Sequence, residues 1–153
     1  MAGRFSFYAR KPKTTSTSVT KHRTLLKDGS IPEKTIQAQI LGWLNEVGLL
    51  HWRQNSGTVF FGGRTIHLGP DGLPDIVVVV PPGGRILGLE VKSSKGRQRP
   101  TQAAWQIECE AVGGYYRIVR SLEQAMDAVA AVLGEENWKL LQQSGSVKTL
   151  RTI

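Results

Sequence analysis

The sequence predicts a small mixed α/β fold, in which a short β-sheet is flanked by helices. Three kinds of segment support this prediction: amphipathic stretches at helical spacing, short β-branched runs, and Gly- or Pro-rich turns between them. The segments follow in the order helix, strand, hairpin, hairpin, helix, strand, helix, which is typical of a single layered domain. A chain of 153 residues is long enough for one such domain with terminal extensions.

The domain is predicted to begin with an amphipathic helix over residues 32–47. Ser30 is the expected N-cap, Glu33 lies in the first turn, and Gly48 is expected to end the helix. The apolar residues at helical spacing are Ile36, Ile40, Leu41, Leu44 and Val47.

A strand over residues 49–55 and a hairpin are expected next. The runs 58–61 and 64–68 flank Gly62-Gly63, a glycine pair that favours a tight hairpin turn. The turn of residues 69–72 then leads to the most apolar strand of the chain.

That strand, residues 76–80, is predicted to form a second hairpin across the turn of residues 81–84, and its register places Asp75 opposite Glu90. Because side chains alternate along a strand, Lys92 shares a face with Glu90. Opposed Cβ atoms lie about 4.5–5.5 Å apart, so two ionised carboxylates would repel each other here. A divalent hard cation is the simplest neutralising partner, because Mg²⁺ binds carboxylate oxygens together with substrate phosphate.

Two helices and one strand complete the prediction. Thr101 is expected to cap a helix that runs to Val112, and residues 115–119 form a strand. Ser121 caps the last helix, which Gly134 ends.

The folded domain is therefore predicted to span residues 31–134, between a flexible basic arm of residues 1–30 and a C-terminal tail of residues 135–153. The formal net charge is +8, and the arm, with seven basic residues and one acidic residue, carries +6 of it. This distribution favours nucleic acid as the partner. The single cysteine, Cys109, excludes an internal disulfide and a multi-cysteine zinc site, and it fits a reducing compartment.

The polar residues around the second hairpin suit metal-assisted cleavage of a phosphodiester. Asp75 and Glu90 would ligate a cation that polarises the scissile phosphate and lowers the pKa of a bound water. Lys92 would orient that water or stabilise the charge that develops on phosphorus. Glu33 would act as an outer ligand through water, and Gln102 would hydrogen-bond phosphate or water. The loop residues expected to bind the DNA backbone are Lys95, Arg97 and Arg99, and the run Gln54, Asn55 and Ser56 is either a DNA contact or an ordinary strand end.

Taken in order, these motifs resemble the VRR-NUC (virus-type replication-repair nuclease) family of the PD-(D/E)XK superfamily, over roughly residues 31–133. The matching residues are Glu33, Gln54-Asn55-Ser56-Gly57, Gly72-Leu73-Pro74-Asp75, Glu90-Val91-Lys92, Lys95-Gly96-Arg97 and Gln102. The resemblance implies a restriction-endonuclease-like αβββαβ core and a deoxyribonuclease dependent on Mg²⁺ or Mn²⁺. It also implies Asp75, Glu90 and the Val91 carbonyl as metal ligands, with Lys92 catalytic.

Small stand-alone members of this family resemble junction resolvases. The resemblance thus implies a homodimer that cuts four-way (Holliday) junctions or other branched DNA in replication or repair. Two alternatives stay open: a nuclease-fold protein that binds nucleic acid without cutting it, and a sequence-specific restriction-type endonuclease. We expect neither an organic cofactor nor membrane association. The expected location is the cytoplasm or another reducing, DNA-containing compartment, of viral, phage or bacterial origin, although the composition of the arm also matches a mitochondrial transit segment.

Overall fold

The structure, a computed structural model, describes residues 25–55 and 57–151. Most of the predicted basic arm and the candidate DNA contact Ser56 lie outside the described residues. No helix in these two ranges is long and apolar enough to span a membrane. In chain order the elements are α1 (Glu33–Val47), β1 (Leu50–Arg53), β2 (Gly57–Phe61), β3 (Arg64–Leu68), β4 (Ile76–Val80), β5 (Arg85–Val91), α2 (Pro100–Ala111), β6 (Tyr115–Val119), α3 (Leu122–Leu133) and α4 (Glu135–Ser144), followed by a 3₁₀ turn, Val147–Arg151.

A four-stranded mixed sheet lies at the centre of the fold, with the strand order β1-β4-β5-β6. The pairs β1–β4 and β4–β5 are antiparallel, whereas β6 runs parallel to β5. A parallel neighbour needs a crossover connection, and α2 provides it. With the hairpin β2–β3 set aside, the elements up to β6 follow the expected order αβββαβ. The predicted α/β class, a small mixed sheet flanked by helices, is confirmed.

The main apolar core lies between one face of this sheet and helices α1, α3 and α4. Val78 and Leu87, which face each other across the hairpin β4–β5, both point into it. Val77 on the other face of β4 is also buried, as the apolar run predicted. Because side chains alternate, Glu90 and Lys92 project from the face of β5 opposite to the core. The candidate site therefore lies on the face of the sheet that α2 covers.

The segment from residue 135 onwards, predicted to be a tail, is instead part of the fold as far as the structure describes it. Leu141 of α4 and Val147 of the 3₁₀ turn are each 2 % exposed and belong to the main core. Trp138 packs edge-on against Trp43 of α1, with ring centroids 6.4 Å apart. The prediction failed because this segment carries few apolar residues, whose burial depends on the groove between α1 and α3 and not on a local pattern.

Two of the three predicted helix caps differ in the structure. Ser30 does not cap α1, because its hydroxyl donates to Asp28 Oδ1 at 2.6 Å, and Pro32 occupies the N-cap position. Helix α2 begins one residue before Thr101, so its N-cap position falls to Arg99. The third cap is confirmed, since Ser121 Oγ accepts the backbone N–H of Gln124.

Strands β2 and β3 form a separate two-stranded sheet around Gly62-Gly63, as predicted. All ten residues of the two strands are exposed to solvent. This hairpin is inserted between β1 and β4, so it leaves and rejoins the central sheet at one end.

Candidate active site

The hairpin β4–β5 brings Asp75 to the end of β5, where Glu90 lies. The register pairs Ile76 with Leu89, so the next position places Asp75 opposite Glu90, as the loop length predicted. The carboxylate oxygen Oδ2 of Asp75 accepts the backbone N–H of Val91 at 2.8 Å. The predicted proximity of the two carboxyl groups therefore agrees with the geometry of this hairpin.

Glu90 is buried and held by three side-chain donors. It is 1 % exposed, and its Oε1 accepts from Lys92 Nζ at 2.6 Å and from Gln102 Nε2 at 2.5 Å. Its Oε2 accepts the hydroxyl of Tyr116 at 3.3 Å. Burial raises the pKa of Glu90, the charge of Asp75 raises it further, and the contact with Lys92 opposes both. A second positive charge at this point would offset the cost of keeping Glu90 ionised.

Lys92 lies on the same face as Glu90, as strand alternation predicted. Its side chain is nearly buried, and its backbone N–H donates to Val119 of β6 at 3.0 Å. The backbone is thus fixed to the sheet while the ammonium group contacts the carboxylate two residues earlier. An ammonium held at a carboxylate in this way is a preorganised charge for an anionic substrate.

Gln102, predicted to hydrogen-bond phosphate or water, contacts Glu90 in the structure. It is 1 % exposed, and both ends of its amide are used, because Oε1 accepts the backbone N–H of Arg99 at 2.8 Å while Nε2 donates to Glu90. These two bonds fix the orientation of the amide. The side chain thus connects the start of α2 to Glu90 and supports this carboxylate.

The turn before Asp75 lies against the start of α2, and Gly72 makes this approach possible. A Cβ atom added at Gly72 would lie 2.2 Å from the carbonyl oxygen of Thr101, and the residue has φ +87°. Only glycine accepts both the close contact and this backbone conformation without strain. The motif Gly72-Leu73-Pro74-Asp75 therefore positions the first carboxylate against the helix that holds the second.

Tyr116 is a site residue that the sequence analysis missed. It lies on β6 beside Gly88, is buried, and donates its hydroxyl to Glu90. Its ring is tilted against Trp105 of α2 at a centroid distance of 5.7 Å. Burial and the charge of Glu90 raise the pKa of Tyr116, so it remains a neutral donor. The adjacent Tyr115 and Tyr116 point to opposite faces, and only the pairing of β6 with β5 decides which of them reaches Glu90.

Glu33, at the first position of α1, reaches the end of β5 as predicted. Its Oε1 accepts the backbone N–H of Ser93 at 2.8 Å. A Cβ atom added at Gly96 would lie 2.9 Å from this oxygen and 3.2 Å from Cβ of Lys92. Glu33 therefore borders the site through the backbone that follows Lys92.

The predicted basic loop lies at the surface beside Glu33. Lys95, Arg97 and Arg99 are all exposed. Lys95 Nζ lies 3.2 Å from Asp28 Oδ2. The loop is attached to β6 by Arg120, whose guanidinium donates to the carbonyl of Ser93. Arg120 was not identified from the sequence, because its partner is a backbone atom 27 residues away.

Of the predicted run of DNA contacts, Gln54 lies next to Asp75 and Asn55 is exposed. The backbone N–H of Gln54 donates to the carbonyl of Asp75 at 2.9 Å, and its side-chain Oε1 accepts from Trp52 Nε1 at 3.1 Å. Asn55 is open to solvent, and Ser56 lies outside the described residues. Gln54 is therefore at the same edge of the sheet as the two carboxylates.

The oxygen donors at this edge suit a hard divalent cation. Asp75 and Glu90 supply carboxylates, and Mg²⁺ is usually bound through one or two of these together with water and substrate oxygens. A strand residue presents its N–H and C=O to the same side, so the carbonyl of Val91 is directed towards Asp75 like its N–H. In the described part of the chain, no three His, Cys, Asp or Glu side chains converge on one metal position. The oxygen donors that are present at this edge are of the type that Mg²⁺ or Mn²⁺ binds.

Comparison with known proteins gives one similarity. No family model matches the chain, and no curated protein matches it. Among solved structures, the chain is similar to one described as "VRR_NUC domain", with 26 % sequence identity and a TM-score of 0.44. The matched region covers 60 % of this chain and 87 % of that one.

Proposed function

We propose that this protein is a metal-dependent DNA endonuclease of the PD-(D/E)XK type, which hydrolyses phosphodiester bonds in branched DNA. The observation that carries the proposal is the state of Glu90. This carboxylate is buried, is held by Lys92, Gln102 and Tyr116, and lies next to Asp75 at the edge of the sheet. Carboxylates whose pKa is raised by burial and by a neighbouring charge cluster at functional sites.

The residues of this edge divide the chemical work between them. Asp75, Glu90 and the carbonyl of Val91 would hold Mg²⁺ or Mn²⁺, which supplies Lewis acidity and a water of lowered pKa when bound. Gln102 and Tyr116 keep the Glu90 carboxylate in one orientation. The ammonium of Lys92 orients the attacking water or stabilises the extra negative charge on the phosphoryl oxygens.

The surroundings of the edge would bind the DNA backbone. Lys95, Arg97 and Arg99 present three positive charges to solvent on the loop that follows Lys92. Phosphate contacts of this kind position the nucleic acid without reading its sequence. Gln54 and Asn55 flank Asp75 on the other side, and Ser56 follows them. We therefore expect DNA affinity to fall steeply with salt concentration.

We also propose that the protein works as a homodimer on four-way junctions or related branched DNA in replication or repair. A twofold axis would present two identical sites to two strands, as paired nicking requires. The single cysteine and the basic composition support a reducing, DNA-containing compartment such as the cytoplasm. The intact set of Asp75, Glu90 and Lys92 argues against a retired nuclease that only binds DNA.

The test is a cleavage assay on four-way, flap, linear and single-stranded DNA with Mg²⁺, with Mn²⁺ and with EDTA. We expect Asp75→Asn to reduce cleavage by more than about 100-fold, since even the groups that support metal ligands contribute 10- to 100-fold. Asp71→Asn is the matched control, because it makes the same change in an exposed residue of the same turn. Full metal-dependent cleavage by Asp75→Asn would refute the metal site. If the protein binds every substrate but cuts none of them, the non-cutting alternative is favoured. If cleavage is lost when the base sequence of the junction arms is scrambled, sequence recognition is favoured.

A further inference from the structure

The hairpin β2–β3 exposes more apolar surface than a hairpin without a partner should. Phe60 is 73 % exposed and Phe61 is 74 % exposed, next to the turn Gly62-Gly63. Val59 and Ile66, which face each other on the ribbon, are also exposed. Large apolar side chains exposed on both faces of one short hairpin indicate a contact that forms in function.

The position of the hairpin ties it to the candidate active site. Its first strand starts two residues after Asn55, and the backbone N–H of Gln54 donates to the carbonyl of Asp75. Its second strand leads into the turn that contains Gly72, which lies against the start of α2. Strands of five residues extend about 17 Å, so the tip lies within about that distance of the root of the hairpin. A DNA substrate bound at Asp75 is therefore large enough to reach the hairpin.

The charge of the segment favours DNA as the partner. From Arg53 to Pro70 the sequence contains no aspartate or glutamate, while Arg53 and Arg64 carry positive charge. Arg64 pairs with Phe61 at the tip, so a cation and an aromatic ring lie side by side there. A two-stranded ribbon also has the width that a DNA groove admits.

A second copy of the chain is a poorer partner for this hairpin. A ribbon of two strands about 17 Å long and about 10 Å wide offers less than about 200 Å² on one face. A stable dimer buries about 800 Å² on each partner. The hairpin alone is therefore too small to hold a dimer together, whereas stacking of a single base needs only one ring.

We propose that Phe60 and Phe61 form an aromatic wedge that stacks against bases at the branch point of the DNA substrate. The proposal rests on the proposed function and gives it a physical basis for selecting branched DNA. Adjacent residues of a strand point to opposite faces, so the two rings can contact the bases on either side of an opened step. Such an opening costs a few kcal/mol per step, and it costs least where the bases are mismatched, damaged or single-stranded.

The test measures base unstacking without cleavage. A four-way junction that carries 2-aminopurine beside the branch point is titrated with the full chain in EDTA, and a linear duplex with the same label serves as reference. We expect the fluorescence to rise on the junction with the wild-type protein. The double variant Phe60→Ala/Phe61→Ala should abolish the rise and weaken junction binding, by roughly 5- to 150-fold for each base that loses its aromatic partner. Phe60→Tyr/Phe61→Tyr keeps the rings and should bind within about threefold of wild type.

Ile107→Ala is the matched control, because Ile107 is a large apolar side chain that is 69 % exposed on α2, outside the hairpin. It should bind and unstack the junction like the wild type. Unchanged binding and fluorescence with the double alanine variant would overturn the wedge. So would a change from dimer to monomer on sedimentation of that variant, because it would assign the hairpin to a second copy. If the wild-type protein unstacks the junction but cuts no DNA, the proposed function is refuted and the wedge is retained. If it cuts DNA without unstacking the junction, only the wedge is refuted.

Discussion

Replacement of Gln102 by methionine tests whether this buried amide holds Glu90 in place. Methionine keeps the length and the apolar part of the side chain, so the change removes hydrogen bonds without opening a large cavity. Loss of the bond to a charged carboxylate costs about 1.5–3 kcal/mol. Loss of the acceptor for the N–H of Arg99 at the helix start costs about 1 kcal/mol more. We therefore expect Gln102→Met to lower the free energy of unfolding by about 2.5–4 kcal/mol.

The matched control is Gln106→Met, one turn further along α2. Gln106 is only partly buried, and its amide contacts Gln98 and Glu110, which lie at or near the surface. This change should cost less than about 1 kcal/mol. The free energy of unfolding of both variants is measured by urea denaturation followed by circular dichroism. A difference of this size also separates their thermal midpoints by several degrees. Equal stability of the two variants would refute the reasoning, because it would mean that Glu90 does not depend on Gln102.

Two further changes test other contacts of the site region. Gly72→Ala should destabilise the protein by more than about 2 kcal/mol, because the added Cβ meets the carbonyl of Thr101 at 2.2 Å. Gly83→Ala is the control, because Gly83 has a similar φ of +82° but open space around it. A denaturation midpoint of Gly83→Ala as low as that of Gly72→Ala would contradict the predicted clash. The hydrogen bonds from Ser30 lower the pKa of Asp28 to about 2, with help from a nearby lysine. Since this pKa is below the ordinary value of 3.8, the contact stabilises the fold above about pH 4 and is lost as the pH falls towards 2. Titration of the Asp28 carboxyl by NMR should show the low pKa in the wild type and a higher pKa in Ser30→Ala. An ordinary pKa of Asp28 in both proteins would contradict the contact with Ser30.

Much of the fold could be predicted because its signals are local. The periodicity of α1, the glycine pair of β2–β3 and the apolar run of β4 each lie within a few residues, and the structure has elements at these places. The short turn between β4 and β5 also determined the register, and through it the opposition of Asp75 and Glu90. A hairpin is a special case, since a contact between two strands follows from the length of one loop.

Two site residues that the sequence analysis missed join segments that are far apart in the chain. Tyr116 reaches Glu90 from 26 residues away, and only the parallel pairing of β6 with β5 brings them together. Arg120 binds the loop after Lys92 from 27 residues away. Gln102 was identified as a site residue, but its contact with Glu90 required the packing of α2 against the sheet.

The sequence by itself therefore determined the order of the elements from α1 to α3, the hairpin that places Asp75 opposite Glu90, and the face of β5 that Lys92 shares with Glu90. These features depend on backbone alternation and turn length, which act over a few residues. The tertiary structure alone decided which donors surround Glu90, that α4 closes the core, and that Phe60 and Phe61 stay exposed beside the site. Burial and long-range pairing depend on how whole elements pack, and no local pattern of residues specifies that packing.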